Sequence, residues 1–408
     1  MGHLRAVTDE EPIARLHRER WGRVVAATVR TAGDLDLAED CAQRAFEKAL
    51  ETWGDAPPAN PMGWLVRVSK RLAIDAHRHA EVERRKLPMI RTEDPTADHP
   101  DLLRLVFLCC HPALDRTSRV ALTLRLVCGV STEAIANALL VRRPAVSARI
   151  TRAKKKIAEA GVPYRIPDAG ELPERTGVAL DVIHLVATAA HERERLGDGD
   201  DLTERAWILA RSLVEELPDA PEPRGLLALI VLNAARAGSR IGPDGERLLG
   251  DQDRAAWDAD GVRAGLRLAT GALNAGTASP EGAGRFALQA GIAGLHAQAP
   301  SLEETDWTAV VRLYDRLYDR WPTPVVRLNR AIARSYVDGP TGALAELDML
   351  QDEAALRDYP YLQAARGALL IASGRNAEAA AAYEQALTVA IDAEQARFLQ
   401  RRLERAKS

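Results

Sequence analysis

Residues 131–159 read STEAIANALLVRRPAVSARITRAKKKIAE, which is the pattern of two short helices joined by a tight turn. Ser131 is a favourable N-cap for a first helix that runs to Leu139. Residues 140–143 form a short connection, and Pro144 suits the first position of a second helix. Apolar residues recur along one side of that second helix: Val146, Ile150, Ala153 and Ile157. The pattern predicts a helix-turn-helix.

The other side of the second helix carries short and basic side chains. Short side chains let a helix approach base edges in the major groove, and basic ones neutralise phosphates. The residues predicted to face bases are Ser147, Ala148, Thr151, Arg152 and Lys155. Those predicted to neutralise phosphates are Arg142, Arg143, Arg149, Lys154 and Lys156. The alternative is a solvent-facing cationic helix on an unrelated bundle, but the agreement of cap, turn, stripe and charge favours DNA binding.

Basic residues are concentrated around this stretch. Residues 116–165 contain 11 Lys and Arg against two acidic residues, a local net charge of +9. Residues 1–165 carry a net charge of +7 and residues 166–408 carry −10, so the chain as a whole has −3. The near-neutral total therefore combines a basic half that suits a polyanion with an acidic half that does not.

Length and composition indicate a helical protein of more than one domain. The chain has 408 residues, of which 47% are hydrophobic, 4% aromatic and 28% charged, which argues against disorder and against an aromatic-rich β-sandwich. The longest apolar stretch, residues 225–235, is much shorter than the roughly 20 residues that cross a bilayer. The cysteines form no C-x-x-C pair and favour a reducing cytoplasm: Cys41, Cys109, Cys110 and Cys128.

Helical periodicity also covers the chain before the helix-turn-helix. A turn at Gly33-Asp34 separates the first two helices, and GDAPPANP at residues 54–61 ends the second. The charged, proline-containing segment at residues 81–100 predicts a linker. The predicted helices cover residues 13–31, 35–53, 62–80, 101–110 and 116–128.

The third predicted helix combines Trp64 with basic side chains, a composition that could hold single-stranded DNA by charge and stacking. Its basic and imidazole residues are Arg67, Lys70, Arg71, His77, Arg78 and His79. Trp64 fits a core position equally well. The second helix instead begins with an acidic cluster that suits a basic protein partner: Asp34, Asp36, Glu39 and Asp40.

Beyond Tyr164 the pattern stays helical and loses its basic bias. Near the end, two sets of residues recur at offsets of 35 or 36: Gly339, Ala343, Leu347 and Leu350 correspond to Gly374, Ala379, Tyr383 and Ala386. This period is typical of tetratricopeptide-type hairpins, which stack and present concave binding surfaces. An ordinary Ala-rich helical bundle is the alternative.

Several stretches together resemble the extracytoplasmic-function (ECF) type of the bacterial sigma-70 superfamily. DLAEDCAQRAF at residues 36–46 resembles the region-2 helix that docks on RNA polymerase. NPMGWLVRV at 60–68 and RLAID at 71–75 resemble the helix for opening and recognition of the −10 strand. Residues 119–157 resemble region 4, whose second helix reads the −35 element. The remainder, with AGELPER at 169–175 and DQDRAAW at 251–257, resembles the subgroup with a C-terminal tetratricopeptide-like extension.

The resemblance implies an all-α chain in four parts: region 2 at residues 8–80, a linker at 81–100, region 4 at 101–162 and a helical tetratricopeptide-like domain at 168–408. It implies two partners, core RNA polymerase (clamp helices and flap) and promoter DNA. The implied polymerase-binding residues are Asp36, Glu39, Asp40, Gln43 and Phe46. The implied −10 contacts are Asn60, Trp64, Arg67, Lys70, Arg71, Asp75 and Arg78, and the loop at 54–61 would help to capture a flipped base. The implied −35 contacts are Arg142, Arg143, Ser147, Arg149, Thr151, Arg152, Lys155 and Lys156.

No catalytic or nucleotide-binding motif stands out in the sequence. Cys109, Cys110 and His111 do not suit one metal ion, because adjacent cysteines cannot easily face it together. We therefore predict a sigma factor that is not an enzyme and uses no metal or cofactor. Its C-terminal domain is predicted to be regulatory or to bind a protein partner. The alternatives are a stand-alone helix-turn-helix regulator with a tetratricopeptide-like sensor domain, and a repeat scaffold whose helix-turn-helix is incidental.

Overall fold

The computed structural model describes residues 12–54, 57–80, 101–139, 141–195, 202–242, 245–278, 282–390 and 393–408. The chain forms two compact units, one that ends at Pro218 and one that begins at Asp219. Both units are built from helices, which confirms the predicted all-α class. In the described ranges, strands occur only as a ladder of two residues on each side in the second unit. The predicted linker at residues 81–100 lies outside the described residues.

The described part of the first unit is a series of helices separated by short turns. In chain order they are α1 (Pro12–Ala32), α2 (Leu35–Thr52), α3 (Pro61–Ala80), α4 (Asp101–Cys109), α5 (Arg116–Leu126), α6 (Thr132–Ala138), α7 (Arg143–Glu159), α8 (Leu172–Arg195) and α9 (Leu202–Glu216).

The helices α1, α2 and α3 pack around one apolar core. Gly33 takes a positive φ of 65° between α1 and α2, and the Asp34 side chain caps α2. The buried hydroxyls of Thr28 and Ser69 lie 2.8 Å apart and join α1 to α3 by a hydrogen bond. Each helix places a buried apolar side chain in the core: Trp21, Phe46 and Leu65.

The helices α4 to α7 form the second module, and α4 is buried along nearly its whole length. The Ser131 hydroxyl accepts a hydrogen bond from the Ala134 N–H at 3.1 Å, which confirms the predicted cap of α6. The helix α7 begins at Arg143, so Pro144 occupies its second position, one residue later in the helix than predicted. Proline fits there because the first turn of a helix has no partner for its N–H.

The helices α8 and α9 belong to the same compact unit as α1 to α7. Arg23 on α1 pairs with Glu215 on α9 at 3.2 Å, and Arg175 on α8 donates to the carbonyl of Phe107 on α4 at 2.9 Å. The first unit therefore extends well beyond residue 168, the predicted start of the C-terminal domain.

The described part of the second unit consists of further helices and the short ladder, in which Ile241 pairs with Glu246 and Gly242 with Gly245. The elements are α10 (Pro221–Ala234), β1 (Ile241–Gly242), β2 (Gly245–Glu246), α11 (Ala259–Ala278), α12 (Arg285–Gln298), α13 (Trp307–Arg320), α14 (Pro324–Asp338), α15 (Pro340–Leu350), α16 (Pro360–Ala372), α17 (Asn376–Thr388) and α18 (Ala393–Lys407).

The predicted repeat corresponds to two helical hairpins, α14–α15 and α16–α17. Gly339 and Gly374 follow the first helix of each hairpin with positive φ values of 83° and 72°, which glycine adopts without strain. The apolar members of both sets are buried in one core: Ala343, Leu347, Leu350, Ala379, Tyr383 and Ala386. In the ranges described, we find no helix with both the length and the apolar character to cross a membrane.

Candidate nucleic-acid interface

The apolar stripe of α7 attaches this helix to the second module, as the sequence predicted. Val146 and Ile157 are 1% and 2% exposed, and Ile150 and Ala153 between them are also buried. The stripe packs on α5 and α6. Because the whole stripe points inward, the opposite face of α7 must point outward.

That opposite face is exposed and basic. The residues predicted to face bases are all exposed: Ser147, Ala148, Thr151, Arg152 and Lys155. Of the residues predicted to hold phosphates, Arg142, Arg143 and Lys156 are exposed, and Arg149 is half-buried. The face thus combines short side chains with flanking cations, which is the arrangement that a major-groove helix requires.

A groove of about 330 Å³ lies beside this face, where α7 meets the start of α5. Three cations of α7 line it: Arg149, Arg152 and Lys156. On the α5 side, the Asp115 carboxylate accepts hydrogen bonds from the Ser118 hydroxyl at 2.6 Å and the Ser118 N–H at 2.9 Å. These hydrogen bonds lower the pKa of Asp115 below its usual value. The three cations make the α7 wall of the groove attractive to a phosphate.

The helix α3 carries the residues predicted to hold single-stranded DNA. Trp64 is half-buried, and its ring lies 5.2 Å from that of Trp53 in an edge-to-face contact. Asn60 is exposed, and its Oδ1 accepts the Gly63 N–H at 2.8 Å. Arg67, Arg71 and Arg78 are exposed, whereas Lys70 and Asp75 are half-buried. Ile74, which was not among the predicted contacts, is 45% exposed on this helix.

The residues predicted to bind polymerase fall into an exposed and a buried group. Asp36, Asp40 and Gln43 are exposed. Although Asp40 is exposed, partial desolvation of its carboxyl, helped by the charge of Glu39, raises its pKa above the usual value. Glu39 is 7% exposed, and Phe46 is 4% exposed with its ring 4.9 Å from that of His17. Phe46 therefore supports the core of the first module.

An ionic cluster joins α2 to α5 and α7. The Lys154 ammonium on α7 lies 2.6 Å from both the Asp36 and the Glu39 carboxylates, and Arg125 Nε donates to Glu39 at 2.5 Å. Burial alone would lower the pKa of Lys154, but the carboxylates of Glu39 and Asp36 outweigh it and raise that pKa. Lys154 is buried, so the structure contradicts the expectation that it contacts DNA phosphates.

The helix α1 packs directly on the end of α5. Trp21 Nε1 donates to the Arg125 carbonyl at 3.3 Å. A Cβ atom on Gly22 would lie 2.3 Å from the Val127 carbonyl oxygen, so glycine is required for this approach. The two modules are therefore in close backbone contact in this structure as well as linked by charge.

Comparison with known families matches three parts of the chain. Residues 17–82, which include α2 and α3 and most of α1, match the family described as Sigma-70 region 2. Residues 104–157, from α4 into α7, match the family described as Sigma-70, region 4. Residues 175–273 match a family of unknown function, DUF6596.

Two kinds of relatives are similar to this chain. An uncharacterized protein of Rhizobium meliloti (strain 1021) is 35% identical over 399 residues, which cover 94% of this chain and 93% of that protein. A protein described as probable ECF RNA polymerase sigma factor SigI, from two strains of Mycobacterium tuberculosis, is 26% identical over 178 residues, or 40% of this chain and 60% of its own length. The chain belongs to the ECF sigma factors of the sigma-70 superfamily.

The family matches identify the parts of this sigma factor. The first module is region 2 and the second is region 4, in the predicted order. The presence of both regions favours the sigma-factor interpretation over a stand-alone regulator or a repeat scaffold. The third match begins in α8 of the first unit and ends in α11 of the second.

Sequence reasoning missed the residues that join region 2 to region 4 in this sigma factor. Besides Lys154 and Gly22, these include Tyr164, whose buried hydroxyl lies 2.9 Å from the carbonyl oxygens of both Ala26 and Asp101. Tyr164 stands 138 positions after Ala26, and nothing in the local pattern signals that contact.

Proposed function

We propose that this ECF sigma factor binds core RNA polymerase through α2 and directs it to promoters through α3 at −10 and α7 at −35. The single observation that carries this proposal is the geometry of α7. Its apolar stripe is buried, and the residues of its exposed face are those that reading a major groove requires. The matches to region 2 and region 4 follow one another in the chain, which supports the assignment of polymerase and −10 binding to α2 and α3 and of −35 binding to α7.

At the −35 element, the short side chains of α7 allow close approach, and Arg152 is the long side chain positioned to contact a base. The groove beside α7 would take a backbone phosphate, because Arg149, Arg152 and Lys156 line its wall. The other exposed cations, Arg142, Arg143 and Lys155, would hold neighbouring phosphates. If about five phosphates are neutralised, the logarithm of the binding constant falls with the logarithm of salt concentration with a slope near −4.5.

At the −10 element, the exposed arginines of α3 would hold the backbone of the opened strand. The half-buried Trp64 leaves part of its ring available to stack on a base. Asn60, which caps the start of α3, belongs to the loop at 54–61 proposed to receive a flipped base; residues 55 and 56 of that loop lie outside the described residues.

Binding of polymerase through Glu39 of α2 requires a change in the ionic cluster. Glu39 is almost inaccessible, and both Glu39 and Asp36 are engaged by Lys154. A polymerase surface can contact the Glu39 carboxylate only if Lys154 and Arg125 leave it, and it would compete with Lys154 for the exposed Asp36. We therefore propose that docking on polymerase separates α7 from α2.

The second unit is proposed to be the regulatory or protein-binding part of this sigma factor, supported by its paired helical hairpins. We propose that the protein acts by binding, without catalysis of its own, and in the cytoplasm, where its polymerase partner works. Because DUF6596 has no known function, its match adds no activity to this proposal.

The test is transcription from a library of random promoter fragments by core RNA polymerase, with and without the purified chain. We expect the chain to produce transcripts from a subset of fragments that share two separated sequence elements. Binding to duplex fragments without any polymerase-dependent transcript would overturn the proposal.

A charge change on α2 tests the polymerase surface. Asp40→Lys is expected to weaken binding to core polymerase at least about tenfold, because it places a like charge opposite a basic partner. The control is Glu51→Lys, an equally large charge change at an exposed position of the same helix. Equal losses in both variants, measured by fluorescence anisotropy with labelled chain, would contradict the assignment of Asp40.

A further inference from the structure

Three side chains that are able to carry positive charge lie near enough in the second unit for the charges of two of them, Arg236 and Arg254, to act on the third, His296. Arg236 follows α10, Arg254 begins a short 3-10 turn, and His296 lies near the end of α12. Over the ranges that the structure describes, none of the three forms an ion pair with a carboxylate. Buried cations are normally paired with a carboxylate or another anion, so this cluster of cations is unusual.

The indole of Trp257 organises the two arginines. Trp257 is 8% exposed, and its Nε1 donates to the Ser239 hydroxyl at 2.7 Å. The guanidinium of Arg236 lies 5.2 Å from the centre of the Trp257 ring, and that of Arg254 lies 4.9 Å from it. Stacking on a fixed ring holds both guanidinium groups in place, so little conformational entropy remains to be lost on binding.

The cluster also contains buried polar atoms that lack an acceptor or donor. Arg254 Nη1 donates to the carbonyls of His296 and Ala299, but Arg254 Nη2 and His296 Nδ1 are buried without a hydrogen-bond partner among the described residues. Within the part of the chain that the structure describes, the Arg236 guanidinium has one hydrogen-bond acceptor, Gln252 Oε1, at 3.5 Å from both Nε and Nη2. The cluster thus holds more donors than the surrounding protein satisfies.

The charges of the cluster oppose one another. Burial, followed by the charges of Arg240 and Arg254, lowers the pKa of Arg236 to about 9. Burial, followed by the charges of Arg236 and Arg254, lowers the pKa of His296 to about 4. A bound anion would offset this repulsion and accept the unsatisfied hydrogen bonds.

We propose that Arg236, Arg254 and His296 form a binding site for a small oxyanion, the phosphate or carboxylate group of a small-molecule ligand. Two guanidinium groups match the charge of a dianion, and their planar forks suit two-point hydrogen bonding to its oxygens. The His296 ring lies 5.2 Å from that of Trp307, which stacks at 3.8 Å on Tyr336, a residue 49% exposed. This aromatic pair offers the rest of the ligand an apolar surface beside the anion site. The second unit would then sense a small anionic metabolite.

The experiment titrates the full chain with sodium phosphate, with sodium malonate as a dicarboxylate, and with sodium chloride at matched ionic strength. We expect phosphate or malonate, but not chloride, to raise the melting temperature of the second unit in a saturable way. A response to phosphate identifies a phosphate site, and a response to malonate alone identifies a carboxylate site. Equal effects of all three salts would overturn the proposal.

Variants locate the site. Arg236→Gln is expected to weaken anion binding at least about tenfold, because it removes charge-assisted hydrogen bonds. The control is Arg263→Gln, an exposed arginine of the same unit that pairs with Asp260, and we expect it to bind as the unaltered chain does. If Arg236→Gln does not fold, Arg236→Lys keeps the charge but loses the fork, and a clear weakening is expected there too. Unchanged binding in the folded Arg236 variants would assign the anion to another surface, such as α7, and overturn the proposal.

The result is independent of the promoter function, because it is measured on the chain without polymerase or DNA. If the chain binds the anion but starts no transcription, the proposed promoter function is disproved and the proposed anion site is not.

Discussion

We propose that readout of the −35 element depends most on Arg152. Its side chain is exposed on α7 among short neighbours, and it also lines the groove beside α5. Arg152→Ala should cost about 1 to 3 kcal/mol of duplex binding and relax discrimination at one base pair. The measurement is fluorescence anisotropy with a duplex selected from the transcription library.

Arg71→Ala provides the control for this prediction, because Arg71 is equally exposed but lies on α3. We expect it to leave −35 duplex affinity unchanged. A neutral Arg152→Ala variant would show that α7 does not read bases through this side chain.

His296 predicts a pH-dependent stability of the second unit. Burial and the charges of Arg236 and Arg254 lower its pKa to about 4, whereas an unfolded histidine titrates near 6.5. Between these values the unfolded chain binds the extra proton and the folded chain does not. The free energy of unfolding should therefore fall as the pH drops from about 6.5 to about 4, by up to about 3 kcal/mol.

The measurement is thermal unfolding of the full chain across this pH range in a buffer without phosphate or carboxylate. His296→Gln should flatten the dependence, and the exposed His79→Gln should preserve it. An unchanged slope in His296→Gln would contradict the assignment.

At the scale of elements, α7 has two working faces besides its apolar stripe. One face is exposed and carries the residues predicted to contact DNA. The other carries Lys154, whose ammonium pairs with the Asp36 and Glu39 carboxylates of α2. Lys154→Met removes one partner of a buried ion pair and should destabilise the α2–α7 contact by about 3 kcal/mol. The loss stays at the low end for a buried pair, because Arg125 still compensates part of the Glu39 charge. The same change should favour polymerase binding, because it releases Asp36 and leaves Glu39 paired with Arg125 alone among the described residues.

Hydrogen exchange measured by mass spectrometry on peptides from α2 and α7 tests the first effect, and anisotropy with core polymerase tests the second. Lys155→Met is the control, because Lys155 is exposed and its ion pair is the surface pair with Glu159 at 3.6 Å, so a change within about 0.5 kcal/mol is expected. Weaker polymerase binding by Lys154→Met would show that the α2–α7 contact does not compete with polymerase.

At the scale of the whole molecule, the boundary of the first unit determines where the chain can be cut. The helices α8 and α9 are attached to α1 and α4 by Arg18–Glu204, Arg23–Glu215 and Arg175. A fragment that ends at Pro218 should therefore unfold cooperatively, at a temperature at least about 5 °C above that of a fragment ending at Arg165. Circular dichroism of both fragments measures the difference, and equal melting temperatures would show that α8 and α9 do not stabilise the sigma regions.

The Pro218 fragment is also the one to use for asking how the second unit regulates transcription. A gain of promoter-dependent transcripts relative to the full chain would mean that the second unit restrains the factor, and a loss would mean that it is required. A cut near Tyr164 would also remove α8 and α9 from the first unit, so a change in transcription could not be assigned to loss of the second unit.

Local sequence patterns are sufficient to predict the helices, the helix-turn-helix and its outward face. Ser131, Pro144 and the stripe from Val146 to Ile157 act through neighbours three or four positions away, so their roles follow from local periodicity and capping. The basic concentration around α7 and the family motifs likewise lie within single segments. The small and large apolar residues of the C-terminal hairpins were predictable for the same reason.

Which charged residues form contacts inside the protein depends on how the chain folds in three dimensions. Lys154 has the same local surroundings as Lys155 and Lys156, but its partners Asp36 and Glu39 lie 118 and 115 positions away. Arg236, Arg254 and His296 come from three separate segments and meet only when the second unit folds. Periodicity assigns a side chain to a face of its helix, but what that face meets depends on contacts distant in sequence, which local patterns do not encode.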